Sequence, residues 1–288
     1  MELRTMNIAT QTLINPRIFE PQTVATLKQS YLTAQPYKHL AIDNFLNPEF
    51  AEVLCDRFPA LSQMKTHYKG LNENKAEDAN FHSYDDAFRQ LKAEYRSPEF
   101  IKFLEDLTDI KGLSMPDDAL GCGTHQGENG SYLDIHVDFN IHPTEDLHRR
   151  LNVLLFLNRD WKEEYGGKLE MWDSKMTQCV TTHVPLLNRL VIFETNEISY
   201  HGYGTISVPE GITRKSIYAY FYTKASETAK SLGYHDTIFR ARPTESASKK
   251  LKTTLKESVK NFIKQQMKKS GVIQFYYETL FNVKNRKR

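Results

Sequence analysis

Residues 131–140 read SYLDIHVDFN. Tyr132–Val137 is an alternating, aromatic and β-branched run, which predicts a strand. Residues two apart on a strand share a face, so His136 and Asp138 project together while Val137 turns to the core. His201 follows 63 residues after Asp138, inside Ser199-Tyr200-His201-Gly202. Two imidazoles and one carboxylate in this order have the form of a facial triad, which suits Fe(II) and leaves coordination positions open. This donor set is a poor one for Ca or Mg, and the absence of thiolates argues against structural zinc.

Thirteen residues past His201 stands Arg214, at the entrance to the apolar run Ile217–Tyr222. A charge there is costly unless paired. A guanidinium holds a carboxylate with two parallel hydrogen bonds, so Arg214 is expected to anchor the carboxylate tail of a cosubstrate, with Ser216 on the same face adding a hydroxyl.

Further strand-like runs are Leu151–Leu157, Lys168–Trp172, Cys179–His183 and Arg189–Phe193, with a forced turn at Gly166-Gly167. Many short strands in a small span predict a double-sheet jelly roll (cupin-like) rather than a βαβ array. The fold class expected is mainly β with flanking helices (α+β).

Residues 18–33 read as a helix leading to a strand at Tyr37–Ile42. Asn47-Pro48-Glu49 opens another helix, with Asn47 as N-cap and Pro59 as its stop. Residues 63–83 are polar and read as a long loop or lid-like excursion. Helices follow over roughly 84–94 and from Ser97-Pro98-Glu99. Beyond Pro243 a helix carries Leu251, Leu255, Val259, Phe262 and Ile263 as an apolar stripe among lysines, with Thr244 as cap and Gly271 as stop. Gln274–Phe281 reads as one more turn. These readings divide the chain into a helical support region (1–118), a catalytic core (119–243) and a basic helical extension (244–288).

The chain has 288 residues and a net charge of +2. Residues 245–288 carry 12 Lys/Arg against 3 Glu, so the remainder is acidic. Such a tail suits a solvated face, nucleic acid, an anionic membrane or an acidic partner. There is no long apolar run to span a membrane and no apolar segment near the start to act as a secretory signal. Cys55, Cys122 and Cys179 form no disulfide framework, and a cytoplasmic location is expected.

With these motifs in place, Gly121–Thr223 resembles the prolyl 4-hydroxylase-like branch of the Fe(II)/2-oxoglutarate-dependent dioxygenases. The resemblance is carried by SYLDIHVDFN, RRLNVLLFLNRDWKEEYGGKLEMWD, RLVIFETNEISYHGY and TRKSIYAYFYT. It implies a double-stranded β-helix, iron on His136, Asp138 and His201, and 2-oxoglutarate on Arg214. O2 would be the second cosubstrate, with ascorbate as a stimulant. Phe156 stands where oxygen-sensing relatives carry a cosubstrate-binding tyrosine, so Asn152 or Ser216 is expected to substitute for it. His125 falls near their upstream tyrosine and is expected to line the cavity. Because Asp138 fills the third ligand position, hydroxylation is expected rather than halogenation.

Asn140, Arg150, Trp172 and Glu194 flank the metal strands as candidate substrate contacts, Arg150 and Glu194 as a clamp for a free amino acid. The expected substrate is a free amino acid or amino-acid-derived metabolite, with a peptidyl or protein prolyl residue as the alternative. A non-catalytic jelly-roll binding protein is the reading from another class. Nucleic acid is not expected as a partner, because the basic tail lacks a base-stacking platform. The sequence leaves the oligomeric state open.

Overall fold

The computed structural model describes residues 12–277 and Thr279. The expectations for residues 1–11 and for the end of the chain, from the close of the 274–281 turn onward, lie outside the described residues.

The strands are β1 (His39–Ile42), β2 (Thr66–Lys69), β3 (Glu73–Asp78), β4 (Cys122–Gly127), β5 (Tyr132–Val137), β6 (Leu147–Phe156), β7 (Leu169–Trp172), β8 (Cys179–His183), β9 (Arg189–Glu194), β10 (His201–Tyr203), β11 (Arg214–Lys224) and β12 (Ile238–Arg240). All pairings are antiparallel, in the order β1-β9-β6-β11-β4-β3-β5-β10-β7-β8, with β12 on β5 and β2 on β3. The sheet curls into a nearly closed jelly roll. Its two ends, β1 and β8, meet through side chains: the His39 and His183 rings lie 5.2 Å apart, and Thr181 donates to the Gln35 carbonyl at 2.8 Å.

Alternation along the strands sorts residues to the two faces. Leu151, Val153, Leu155, Ile217, Ala219 and Phe221 face outward into the main core. There they meet α2 (Pro48–Asp56), α3 (Asp86–Tyr95) and α4 (Pro98–Thr108), while α1 (Pro21–Thr33) packs on α4. These helices present Phe50, Leu54, Phe88, Leu91, Phe100, Phe103 and Leu104 to that core. Each such side chain contributes about 1.5–3 kcal/mol when fully buried. Asn47 caps α2 as expected, accepting from the Glu49 N–H at 3.1 Å, and Ser97 caps α4, accepting from the Phe100 N–H at 3.1 Å. The opposite strand face, with Leu154, Phe156, Val191, Phe193 and Tyr218, lines the interior of the roll.

Two expectations are corrected. Residues 63–83 hold the β2–β3 hairpin rather than a free loop or lid. β3 pairs with β4 through Ala76–Asp78 and with β5 through Glu73 and Asn74. Its inward residues are charged and pair with one another, so an apolar-periodicity reading passes over it. The stretch 1–118 thus supplies β1, β2 and β3 to the sheet as well as the helices outside it. After α5 (Glu227–Ser231) and β12 comes α6 (Ala247–Lys269), capped by Ser246 rather than Thr244.

Candidate metal centre

His136 and His201 sit directly opposite each other on β5 and β10. Their rings are 4.3 Å apart. Asp138, just past β5, places its carboxylate 3.6 Å from Nε2 of His136 and 3.5 Å from Nε2 of His201. All three donor atoms lie within 4.8 Å of one another. Nδ1 of His136 lies 2.9 Å from the Asp134 carbonyl, and Nδ1 of His201 lies 2.9 Å from the Ser199 carbonyl. A carbonyl only accepts, so each Nδ1 carries the proton and each Nε2 keeps its lone pair for a metal. Burial, then the neighbouring His136, pushes His201 down to about 4, so it stays neutral near pH 7. Phe239 on β12 packs against His136 at 5.3 Å.

Asp138 is itself held. Arg149 forms an ion pair with its Oδ2 at 3.0 Å, and Asn152 donates to the same oxygen at 3.0 Å. Burial acts to raise its pKa, but the Arg149 guanidinium and then the two imidazoles outweigh that and hold it well below the usual carboxylate range. Arg149 is fully buried, with its guanidinium 3.5 Å from the centre of the Tyr220 ring.

Arg149 is the residue that strand alternation misplaces. Counting back by twos from Asn152, which faces the interior, points to Arg150. The β6–β11 register slips there: Leu151 pairs with Phe221, but Arg149 pairs with Tyr222. Arg150 is the extra residue of a bulge, and a bulge exchanges the faces beyond it. Arg149 therefore enters the cavity. Arg150 turns away and lies 3.8 Å from Glu194.

A cavity of about 230 Å³ adjoins the triad. Arg214, Ser216, Tyr218 and Tyr220 line it from alternate positions of β11, His125 from β4, and Asn152 and Leu154 from β6. Arg214 is 4% exposed, and no carboxylate among the described residues pairs with it. Its Nε donates to the Gly167 carbonyl at 2.7 Å, and its guanidinium lies 4.1 Å from the Tyr203 ring centre. Burial pushes its pKa down to about 10, so it remains a cation near pH 7. A buried cation lacking a counter-charge, in the same cavity as two free Nε2 atoms and a carboxylate, fits a metal plus a ligand with a distant carboxylate.

The sequence reading missed a second charged group in the wall. Lys75 and Glu77 of β3 both line the cavity. Lys75 lies 3.4 Å from Glu77 and 3.1 Å from Nε2 of His125. Tyr218 donates to Glu77 at 2.9 Å. Only the run Glu73-Asn74-Lys75-Ala76-Glu77, with its charges every second residue, signalled this face.

Asn140 and Trp172 do not reach the cavity. Asn140 braces a loop, donating to the Gly233 carbonyl at 2.8 Å and accepting from the His235 N–H at 3.1 Å. Trp172 donates to Glu170 at 2.9 Å. A second cluster, Asp118, His142 and Glu145, has metal-like spacing. However, His142 Nδ1 accepts the Glu145 N–H at 3.1 Å, which places the ring proton on Nε2, facing Asp118 at 3.0 Å. That nitrogen has no lone pair to give.

Residues 122–222 match the 2OG-Fe(II) oxygenase superfamily. A curated relative from mouse (Mus musculus), prolyl 3-hydroxylase OGFOD1, is 24% identical over 200 residues, which cover 66% of this chain and 34% of that protein. The chain thus spans about a third of the length of that relative. Among solved structures, a Phytophthora capsici prolyl 4-hydroxylase superposes with a TM-score of 0.52 at 14% identity, over 99% of this chain and 100% of that one. A Trichoplax adhaerens prolyl hydroxylase, in complex with a hypoxia inducible factor oxygen degradation domain peptide fragment, gives a TM-score of 0.51 at 16% identity, over 73% of this chain and 94% of that one. Both likenesses bear on the fold. No helix among the described residues is long and apolar enough to cross a membrane.

Proposed function

We propose that this chain, a 2OG-Fe(II) oxygenase working with Fe(II), 2-oxoglutarate and O2, hydroxylates an aliphatic carbon of a prolyl residue carried in a peptide or protein. The observation that carries the substrate reading is the charge pairing in the cavity. Lys75 is paired with Glu77 and Arg149 with Asp138. With Arg214 assigned to 2-oxoglutarate, no lining Lys or Arg among the described residues remains unpaired for the α-carboxylate of a free amino acid. Arg150 and Glu194, the clamp expected for such a substrate, neighbour each other outside the cavity. A prolyl residue within a peptide carries no charge and needs no such clamp. The aromatic lining of Phe139, Tyr220 and Phe239 suits its ring.

In this reading His136, Asp138 and His201 hold the iron, and Arg214 anchors the distal carboxylate of 2-oxoglutarate, with Ser216 beside it. When held there, iron and 2-oxoglutarate would supply O2 activation, with hydroxylated product, succinate and CO2 as the balanced outcome. The protein's part is to orient and exclude. Arg149 and Asn152 fix the Asp138 carboxylate. The Asp134 and Ser199 carbonyls fix both imidazole tautomers. His125 is pushed down to about 4, by burial first and then by Lys75, so it presents a neutral ring to the cavity near pH 7.

The test is mass spectrometry of proline-containing peptides, and separately of free amino acids, after incubation with enzyme, Fe(II), 2-oxoglutarate and labelled O2. Label in a prolyl residue supports the proposal. Label only in a free amino acid favours the metabolite reading, and chlorinated product would overturn the assignment of Asp138.

A further inference from the structure

Helix α6 is packed with its polar side inward. Thr253 donates to Asn72 at 2.9 Å. Buried Glu257 accepts from the Phe239 N–H at 3.2 Å, and Asn261 accepts from the Asp236 N–H at 2.9 Å. Lys249 pairs with buried Asp134 at 3.0 Å, and Lys268 donates to the Pro143 carbonyl at 2.6 Å. The outward side is apolar. Leu251, Leu255, Val259, Phe262 and Ile263 are 61%, 57%, 58%, 63% and 51% exposed. Their spacing places them on one ridge about 18 Å long. Beyond Gly271 the exposed Val272 and Phe275 follow in sequence. Rolling the helix to bury the ridge would break every inward bond just named, so the ridge is held facing out.

Charge selects the occupant. Lys252, Lys256 and Lys269 are exposed beside the ridge and make no ion pair with a described residue. With 12 Lys/Arg against 3 Glu over residues 245–288, a second copy would bring like charges together, and so would the chain's own basic end. An acidic protein would need a groove shaped to a convex ridge. A bilayer needs no such groove, and lysine stems can run along apolar chains while their ammonium groups stay at the head groups. We propose that α6 lays the protein on an anionic lipid surface, with Leu251, Leu255, Val259, Phe262 and Ile263 entering the interface and Lys252 and Lys256 meeting the acidic head groups. Because the inward side of α6 is bonded to Asp236 and Phe239, which line the cavity, it would hold that wall of the cavity one helix diameter, roughly 10 Å, from the lipid.

The experiment is co-sedimentation of the full chain with vesicles of phosphatidylcholine mixed with phosphatidylglycerol, against pure phosphatidylcholine. The expected result is binding to the mixed vesicles, weakened roughly tenfold or more by high salt or by omitting the anionic lipid. Leu255→Glu with Phe262→Glu should lose binding by a similar factor, and so should Lys252→Glu with Lys256→Glu, while thermal unfolding and 2-oxoglutarate turnover report an intact fold. No binding to the mixed vesicles overturns the proposal, as does binding that survives the Leu255 and Phe262 changes. Concentration-dependent dimerisation through the ridge, or capture of a synthetic acidic amphipathic helix with vesicles left unbound, also overturns it and assigns the ridge to protein.

Discussion

The Gly167 carbonyl accepts the Nε–H of Arg214 at 2.7 Å, so a glycine turn seats the cation that faces the cavity. Gly167 has φ +64, and a Cβ there would lie 2.4 Å from Ile206 Cγ2 and 3.1 Å from Arg214 Cδ. Gly167→Ala should displace the guanidinium and raise the KM for 2-oxoglutarate by about an order of magnitude, with iron content unchanged. Arg214→Ala should raise it roughly ten- to a hundredfold, since a charged hydrogen-bonded pair is worth about 1.5–3 kcal/mol. An unchanged KM in Arg214→Ala would place the anchor elsewhere.

The triad predicts a clean loss. His136→Ala and His201→Ala should each abolish stoichiometric iron binding and succinate formation. Metal analysis beside a decarboxylation assay checks both. Full turnover by either variant would remove that histidine from the site.

Neighbouring arginines should behave oppositely. Arg149→Met leaves the Asp138 carboxylate buried and uncompensated, a change that costs roughly 3–5 kcal/mol. Arg150→Met, outside the cavity, should stay within about 0.5 kcal/mol. Urea denaturation of metal-free protein measures both. A divalent metal should restore part of the loss in Arg149→Met, because it supplies the missing positive charge. Equal effects from the two changes would contradict the bulge.

Acid should weaken the fold through the β1–β8 contact. His183 is pushed from 6.5 to about 4, by burial first, then by His39 and Arg189. His39 is lowered too, by burial. The unfolded chain therefore binds protons more readily than the folded one. This contribution is fully present above about pH 6.5 and is lost as pH falls toward 4, at about 1.4 kcal/mol per unit shift. The urea midpoint should fall over that window, and His183→Asn should flatten the fall. An identical slope in the variant would show that His183 is not among the groups responsible.

The convergence of His136, Asp138 and His201 and the burial of Arg214 were legible in the sequence, because strand period is a local rule: His136 and Asp138 are two residues apart, and Arg214 interrupts an apolar entrance. The outer helices were legible for the same reason, through Asn47, Pro48 and Ser97. Arg149 was not, because a bulge is visible only in the register between two strands. Lys75 and Glu77 were not, because a strand whose inner face is ionic carries no apolar signature. The direction in which α6 faces was hidden as well: an apolar stripe does not reveal that its polar flank has better partners in Asn72, Asp134 and the backbone at Asp236 and Phe239.

β3 is bonded to β5 at one end and to β4 at the other, whereas β1 and β8 share no ladder among the described residues and meet at the His39 and His183 rings. β3 therefore joins the two halves of the roll, whose outer strands come together at the histidine pair. His136, Asp138 and His201 stand on or just past β5 and β10, and Arg214 stands on β11, so they lie on opposite sides of β3 in the strand order. The spacing between the candidate triad and Arg214 is thus set through the β5–β3–β4–β11 ladder.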